Sequence, residues 1–310
     1  MTLSNDQYEK DAGVLRKAMA GWGTDEGPII EITANRSNAD RQQILKFYKS
    51  SFGRDALEDL HSELGGNLRK VVLGMYKTPV DYDCNELMGA MKGMGTNEDT
   101  LIEILATRSN NHLKAIKARF YELYKKQLED EVADETSGDL KRLLISLLQC
   151  NRSEETDIDQ NKVVKDLQDL YDAGEGTLGT DESVFNRIFA LRSPAELRHI
   201  NKEYAKHTSK TLFDVIDSEF SGDAKKLLRT ILQAVMDPTE YFAERIYNAC
   251  KGLGTNDDVL IRVMISRDEI DLKGIKAIYP KKYGRTLYDE IKDETSGDYK
   301  NILLAIARSD

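Results

Sequence analysis

Three cysteines, five prolines and one tryptophan in 310 residues leave several architectures without material. Cys84, Cys150 and Cys250 are widely spaced and form no CxxC pair. Neither a disulfide framework nor a cysteine zinc site is supported, and the usage fits a reducing, cytosolic setting. The four histidines, His61, His112, His199 and His207, do not cluster. No apolar run approaches the roughly 20 residues that span a bilayer; the run from Leu143 to Leu148 is short and flanked by charge. The polar start MTLSNDQYEKD carries no secretory pattern. A basic excess is missing too. Lys and Arg total 44 against 54 Asp and Glu, a formal charge of −10 and a pI near 5.1, so no general nucleic-acid binding is expected. Alternating apolar and polar stretches, the mark of strands, are absent.

What the chain does contain is internal repetition. Four segments share one loop: Gly21-Trp22-Gly23-Thr24, Gly93-Met94-Gly95-Thr96, Thr177-Leu178-Gly179-Thr180 and Gly252-Leu253-Gly254-Thr255. An acid lies 40 positions beyond each last glycine: Glu63, Glu135, Glu219 and Glu294. Each opens a second shared loop, such as Glu135-Thr-Ser-Gly-Asp. An arginine lies 13 positions beyond each glycine: Arg36, Arg108, Arg192 and Arg267. Repeats are placed at 6–78, 79–150, 162–237 and 238–310, with polar residues 151–161 as a linker joining two halves of two repeats each.

Within a repeat the apolar spacing is helical. Leu113, Ile116, Phe120, Leu123 and Tyr124 share one face, as do Leu140, Leu143, Leu144, Leu147 and Leu148. About five short helices per repeat are expected, giving an all-α fold. The threonine of each loop is expected to cap the following helix. Pro280 is expected to kink or shorten the third helix of repeat four, and Gly27-Pro28 to weaken a helix start in repeat one.

The paired loops suggest a chemistry. Glycines let a backbone turn so that several carbonyls aim at one spot, and a carboxylate from the second loop completes an oxygen-only donor set. That set suits Ca²⁺, which takes 6–8 oxygens, better than Zn²⁺ or the tighter Mg²⁺ octahedron. One carboxylate against a divalent ion leaves positive charge and open positions, which phosphate oxygens of a lipid headgroup would fill. Four divalent ions carry eight positive charges, taking −10 to about −2, so loading would ease approach to an anionic leaflet. Weak sites acting together gain through avidity. The apolar residues between the glycines, Trp22, Met94, Leu178 and Leu253, are expected to contact the membrane interface.

These loops and their distant glutamates resemble the annexin family across nearly the whole chain. The stretch from Leu260 through Arg267 to Tyr299 is similar to annexin fourth repeats. The resemblance implies a slightly curved disc of four five-helix repeats, with calcium loops on a convex face that binds anionic, phosphatidylserine-like phospholipid. It implies carbonyl ligands at Met19, Gly21 and Gly23 with Glu63, and at Met91, Gly93 and Gly95 with Glu135. It implies Gly174, Thr177 and Gly179 with Glu219, and Cys250, Gly252 and Gly254 with Glu294. Thr24 and Glu26 form a candidate secondary calcium site. A polar central channel would hold the ion pairs Asp83–Arg108 and Glu103–Arg262, with Glu86 nearby. The implied protein is no enzyme; it is cytoplasmic and reversibly peripheral to membranes. An extracellular surface, filament binding and self-association on membranes stay open. The amino-terminal segment ahead of the first repeat is very short.

Rival motifs are weaker. Gly174-Glu-Gly176-Thr-Leu-Gly179 matches the dinucleotide pattern GxGxxG, but the segment before it reads as helix. Asp157-Ile-Asp159-Gln-Asn161 opens like an EF-hand, yet Lys162 stands at the sixth position and Gln168 at the twelfth. A protein scaffold built on helical repeats is the remaining alternative.

Overall fold

Each repeat is five helices because its apolar residues recur at helical spacing and its polar residues stop and start the turns. The computed structural model describes residues 3–21, 23–93, 95–176, 179–252 and 254–308. Among them there are twenty α-helices and no strand. Repeat one holds α1 (Asn5–Ala18), α2 (Glu26–Asn35), α3 (Asn38–Phe52), α4 (Ala56–Glu63) and α5 (Gly66–Met75). Repeat two holds α6 (Pro79–Met91), α7 (Glu98–Thr107), α8 (Asn110–Tyr124), α9 (Leu128–Glu135) and α10 (Gly138–Leu148). Residues 151–159 lie outside helices. Repeat three holds α11 (Gln160–Ala173), α12 (Glu182–Leu191), α13 (Pro194–Thr208), α14 (Leu212–Glu219) and α15 (Gly222–Met236). Repeat four holds α16 (Pro238–Cys250), α17 (Asp257–Arg267), α18 (Leu272–Tyr283), α19 (Leu287–Glu294) and α20 (Gly297–Arg308).

The helices bury the expected stripes. All five leucines of α10 are buried, each worth about 1.5–3 kcal/mol against exposure. On α8, Leu113, Ile116 and Phe120 are buried, but Leu123 sits at the edge of the stripe and is exposed. Ser37, Ser109 and Ser193 cap the third helices of repeats one to three, accepting from Asp40 N, His112 N and Glu196 N. The loop threonines do not cap. Asn97, Asp181 and Asn256, each one residue later, accept from the first-turn amides of α7, α12 and α17. Pro28 sits in the first turn of α2, where its missing N–H breaks no intrahelical bond, and the helix forms.

Pro280 lies inside α18, which continues to Tyr283 and closes when Gly284, at φ 74°, donates to the Pro280 carbonyl. The helix is shorter than its 15-residue counterparts, at 12 residues. The missing turn is at its start, because Asp268 replaces the serine cap of the other repeats and α17 runs on to Arg267.

The chain forms two compact units. One contains residues up to Tyr82 together with Phe242 onward; the other spans Asp83–Tyr241. In the first, α2 packs on α20 and α5 on α17, so repeat four joins repeat one. In the second, α7 packs on α15 and α10 on α12. The segment at 151–159 therefore lies within a unit, and the grouping differs from the sequential halves expected. Apolar faces of sequence-distant repeats meet, which spacing along the chain does not report.

A buried carboxylate locks the first helix of three repeats to the end of the second. Arg36 Nε lies 2.6 Å from Asp11, Arg108 Nε 2.7 Å from Asp83 and Arg192 Nε 2.5 Å from Asp166. In repeat four the aspartate's place is taken by Phe242. There Arg267 lies over the Phe242 ring, 4.2 Å from its centroid, and pairs with Asp271 at 2.7 Å. A second departure couples repeats one and four. Arg41 stands where the other repeats bury Leu113, Leu197 and Leu272. Its guanidinium donates to the Thr33 and Arg36 carbonyls and reaches Glu269 at 3.3 Å and Asp268 at 3.9 Å.

Burial by itself would raise the Asp83 carboxyl; the Arg108 charge and hydrogen bonds, with His112, outweigh it and hold it at about 2. A depressed carboxyl stabilises the fold above its unfolded value, and that stability is lost as pH falls from about 4 toward 2. Asp83→Asn strands the buried Arg108. It is expected to lower the unfolding free energy by about 3–5 kcal/mol in urea denaturation, and to remove that acid limb. Asp268 has the opposite sign. Burial pushes it up to about 6, Arg41 pulls it down, Glu269 adds to the rise, and Lys276 is the other facing cation. A raised carboxyl is better accommodated when protonated, so this group costs stability as pH rises from about 4 through 6. Asp268→Asn, with Glu269 still on Arg41, is expected to gain about 1–2 kcal/mol at pH 7 and to flatten that part of the pH profile.

Candidate metal centre

Each repeat brings a loop after its first helix beside a loop after its fourth. The first loop is pinned at both ends. The amide after the loop threonine donates to an alanine carbonyl at the end of the preceding helix: Asp25 to Ala18 (2.9 Å), Asn97 to Ala90 (2.8 Å), Asp181 to Ala173 (2.8 Å) and Asn256 to Ala249 (2.7 Å). Between those anchors the chain must reverse within a few residues. Gly93 and Gly95, at φ 124° and 97°, show the left-handed backbone this needs. Among the described residues no hydrogen-bond donor reaches the carbonyls of Met19, Gly21, Gly23, Met91, Gly93, Gly95, Gly174, Gly179, Cys250, Gly252 or Gly254.

The distant glutamate arrives in all four repeats. The threonine hydroxyl donates to its Oε2: Thr24 to Glu63 at 2.9 Å, Thr96 to Glu135 at 2.7 Å, Thr180 to Glu219 at 2.8 Å and Thr255 to Glu294 at 3.3 Å. Spacing alone assigned these threonines to the helix caps; only the close approach of the two loops gives the hydroxyl a carboxylate instead. Met19, Met91 and Cys250 bury their side chains, so only their backbones are available to a ligand. Burial, then Glu290 and Glu294, push the Cys250 thiol up to about 12, and it is neutral.

Trp22, Met94, Thr177, Leu178 and Leu253 lie outside the described residues. Glu26 is half-buried at the first position of α2, and the Thr24 hydroxyl is engaged by Glu63. Asp83 and Arg108 meet in two hydrogen bonds of 2.7 and 2.9 Å. Glu86 is half-buried on α6. Glu103 is buried in the unit spanning Asp83–Tyr241 and Arg262 in the other. The GxGxxG segment follows α11, a helix, and Asp159 of the EF-hand-like run caps that helix. Neither motif has the setting its chemistry needs.

A donor set of loop carbonyls and one carboxylate fits a hard cation such as calcium. No group of three or more His, Cys, Asp or Glu side chains that could hold a metal ion occurs among the described residues, so a cation here would depend on backbone carbonyls. The annexin family profile matches residues 10–75, 82–147, 165–231 and 241–306. This chain belongs to the annexin family. It is 44% identical over 298 residues to annexin A13 of Homo sapiens, covering 96% of this chain and 94% of that one. It is 47% identical over 297 residues to annexin A11 of Oryctolagus cuniculus, covering 96% of this chain but 59% of the relative, so it spans about three-fifths of that length. Among solved structures it is similar to annexin III, with TM-score 0.97 and 40% identity over 100% of this chain and 96% of that one. It is also similar to a calcium-bound annexin (Sm)1, with TM-score 0.85 and 33% identity over 99% and 92%. Calcium and phospholipid binding are characteristic of annexins, which are generally non-enzymatic. No helix among the described residues is long and apolar enough to cross a membrane.

Neighbouring annexin repeats differ beside these loops. Where α5 meets α17, Asn67 donates to Asp257 at 2.7 Å and Lys70 pairs with Asp258 at 2.6 Å. Where α7 meets α15, Lys226 pairs with Asp99, but Asp223 occupies the place of Asn67 and shares with Glu98 and Glu135 a cleft of about 400 Å³. There Lys226, 3.2 Å from Asp223, bridges it to Asp99 in place of the amide hydrogen bond. Asn67→Asp, which trades the hydrogen bond to Asp257 for a second carboxylate, is expected to destabilise by up to about 1 kcal/mol, read from the thermal midpoint in chelator.

Proposed function

We propose that this annexin binds anionic phospholipid membranes reversibly and only with calcium, through loops that share each ion with a lipid headgroup. The single observation that supports this is the glutamate delivered to the glycine loop in every repeat. Glu63, Glu135, Glu219 and Glu294 would each supply the carboxylate, with carbonyls from the two sets of residues around Gly21–Gly23 and Gly93–Gly95 and their counterparts in repeats three and four. The bound calcium would supply positive charge and coordination positions open to phosphate oxygen. The chain itself turns its loop backbone and holds the carboxylate, and Trp22, Met94, Leu178 and Leu253, one in each loop sequence, are the residues expected to contact the membrane interface. Phosphatidylserine-like lipid is the favoured partner, because a chain of net charge −10 needs cations before it can approach an anionic surface. The reading includes no catalytic step, and places the protein at cytoplasmic membrane faces.

The test is vesicle cosedimentation. The protein is expected to pellet with phosphatidylserine-containing vesicles in calcium, to stay in the supernatant with phosphatidylcholine alone, and to leave the pellet on adding chelator. Replacing Glu63, Glu135, Glu219 and Glu294 together with glutamine is expected to abolish pelleting while the thermal midpoint in chelator is kept. Pelleting by that variant in calcium would refute the site assignment.

A further inference from the structure

None of the four threonine hydroxyls caps a helix: Asn97, Asp181 and Asn256 do so in α7, α12 and α17, and the N-cap position of α2 is Asp25, whose side chain makes no cap bond. Each hydroxyl is instead spent on one oxygen of the glutamate 39 residues away. In repeats one, two and four it also lies 3.4, 3.2 and 3.1 Å from that glutamate's own backbone carbonyl, so its single proton is shared between carbonyl and carboxylate, and in repeat four the carbonyl is the nearer acceptor. In repeat three the second contact is different: Ser218 Oγ lies 3.2 Å from Glu219 Oε1. The pattern recurs although the surrounding sequences differ, from Glu63-Leu-Gly-Gly to Glu219-Phe-Ser-Gly.

We propose that Thr24, Thr96, Thr180 and Thr255 are positioning residues that order the glutamate carboxylate before calcium arrives, and so set calcium affinity. This rests on the calcium reading above. An unpinned glutamate at an exposed loop samples many rotamers and must be ordered by the metal, at a cost to affinity. A carboxylate has about four lone-pair directions on its two oxygens. One hydroxyl proton occupies one of them, leaving Oε1 and the other lone pair of Oε2 for a cation in repeats one, two and four; in repeat three Ser218 approaches Oε1 as well, leaving one lone pair on each oxygen. The pin is therefore compatible with binding by both oxygens. Partners of this kind, outside the ligands themselves, typically change metal affinity about 10–100-fold when removed.

The experiment compares the protein with two quadruple variants, threonine to valine and threonine to serine at positions 24, 96, 180 and 255. Valine keeps the shape and removes the donor; serine keeps the donor. Calcium affinity is measured by calorimetry without lipid. In chelator, carbon-13 NMR of the glutamate side-chain carboxyls and the thermal midpoint report the metal-free state. The valine variant is expected to bind calcium about 10-fold more weakly, with its shifted carboxyl signals collapsing toward those of free glutamate. The serine variant is expected to restore both. Equal or tighter calcium binding by the valine variant would overturn the inference, as would failure of serine to rescue. A wild-type protein that takes up no calcium would overturn the calcium reading itself, and this inference with it.

Discussion

Everything at the candidate site depends on holding two loops together across most of a repeat. The first loop leaves one helix and starts the next; the second ends the fourth helix. Neither has a secondary-structure ladder to fix it. The amide that folds back onto Ala18, Ala90, Ala173 or Ala249 closes the first loop. The threonine hydroxyl then ties that closed loop to a glutamate. Removing helix packing would separate the two loops, because the intervening helices set their distance. The glutamates are thus ordinary acidic residues made useful by where α4, α9, α14 and α19 end.

The same constraint explains where polar groups are buried. Asp11, Asp83 and Asp166 sit inside the protein because each answers an arginine at the end of the following helix. This clamps the helix before the glycine loop to the helix after it. Repeat four keeps the arginine but replaces the aspartate by Phe242, so the clamp becomes a ring contact and a shorter-range pair with Asp271. Repeat one buries Arg41 where an apolar residue would do, and reaches into repeat four for Glu269. Repeats one and four carry these departures and pack within one unit, so the repeat pattern is bent where its members meet.

The helical content, the four-fold repetition and the pairing of a glycine loop with a glutamate 40 positions later were all legible in the sequence, because they rest on spacing. The leucines of α10 lie on one stripe for that reason. Tertiary structure decided what spacing does not carry. Whether a threonine hydroxyl caps a helix or grips a carboxylate depends on what another loop brings within hydrogen-bond reach. Whether Leu123 is buried depends on a neighbour's edge, and whether Pro280 ends a helix depends on the packing around it. Above all, α5 meets α17 and α7 meets α15 across long sequence separations. Local periodicity determines which face of a helix is apolar, but only the folded chain determines which other apolar face it finds.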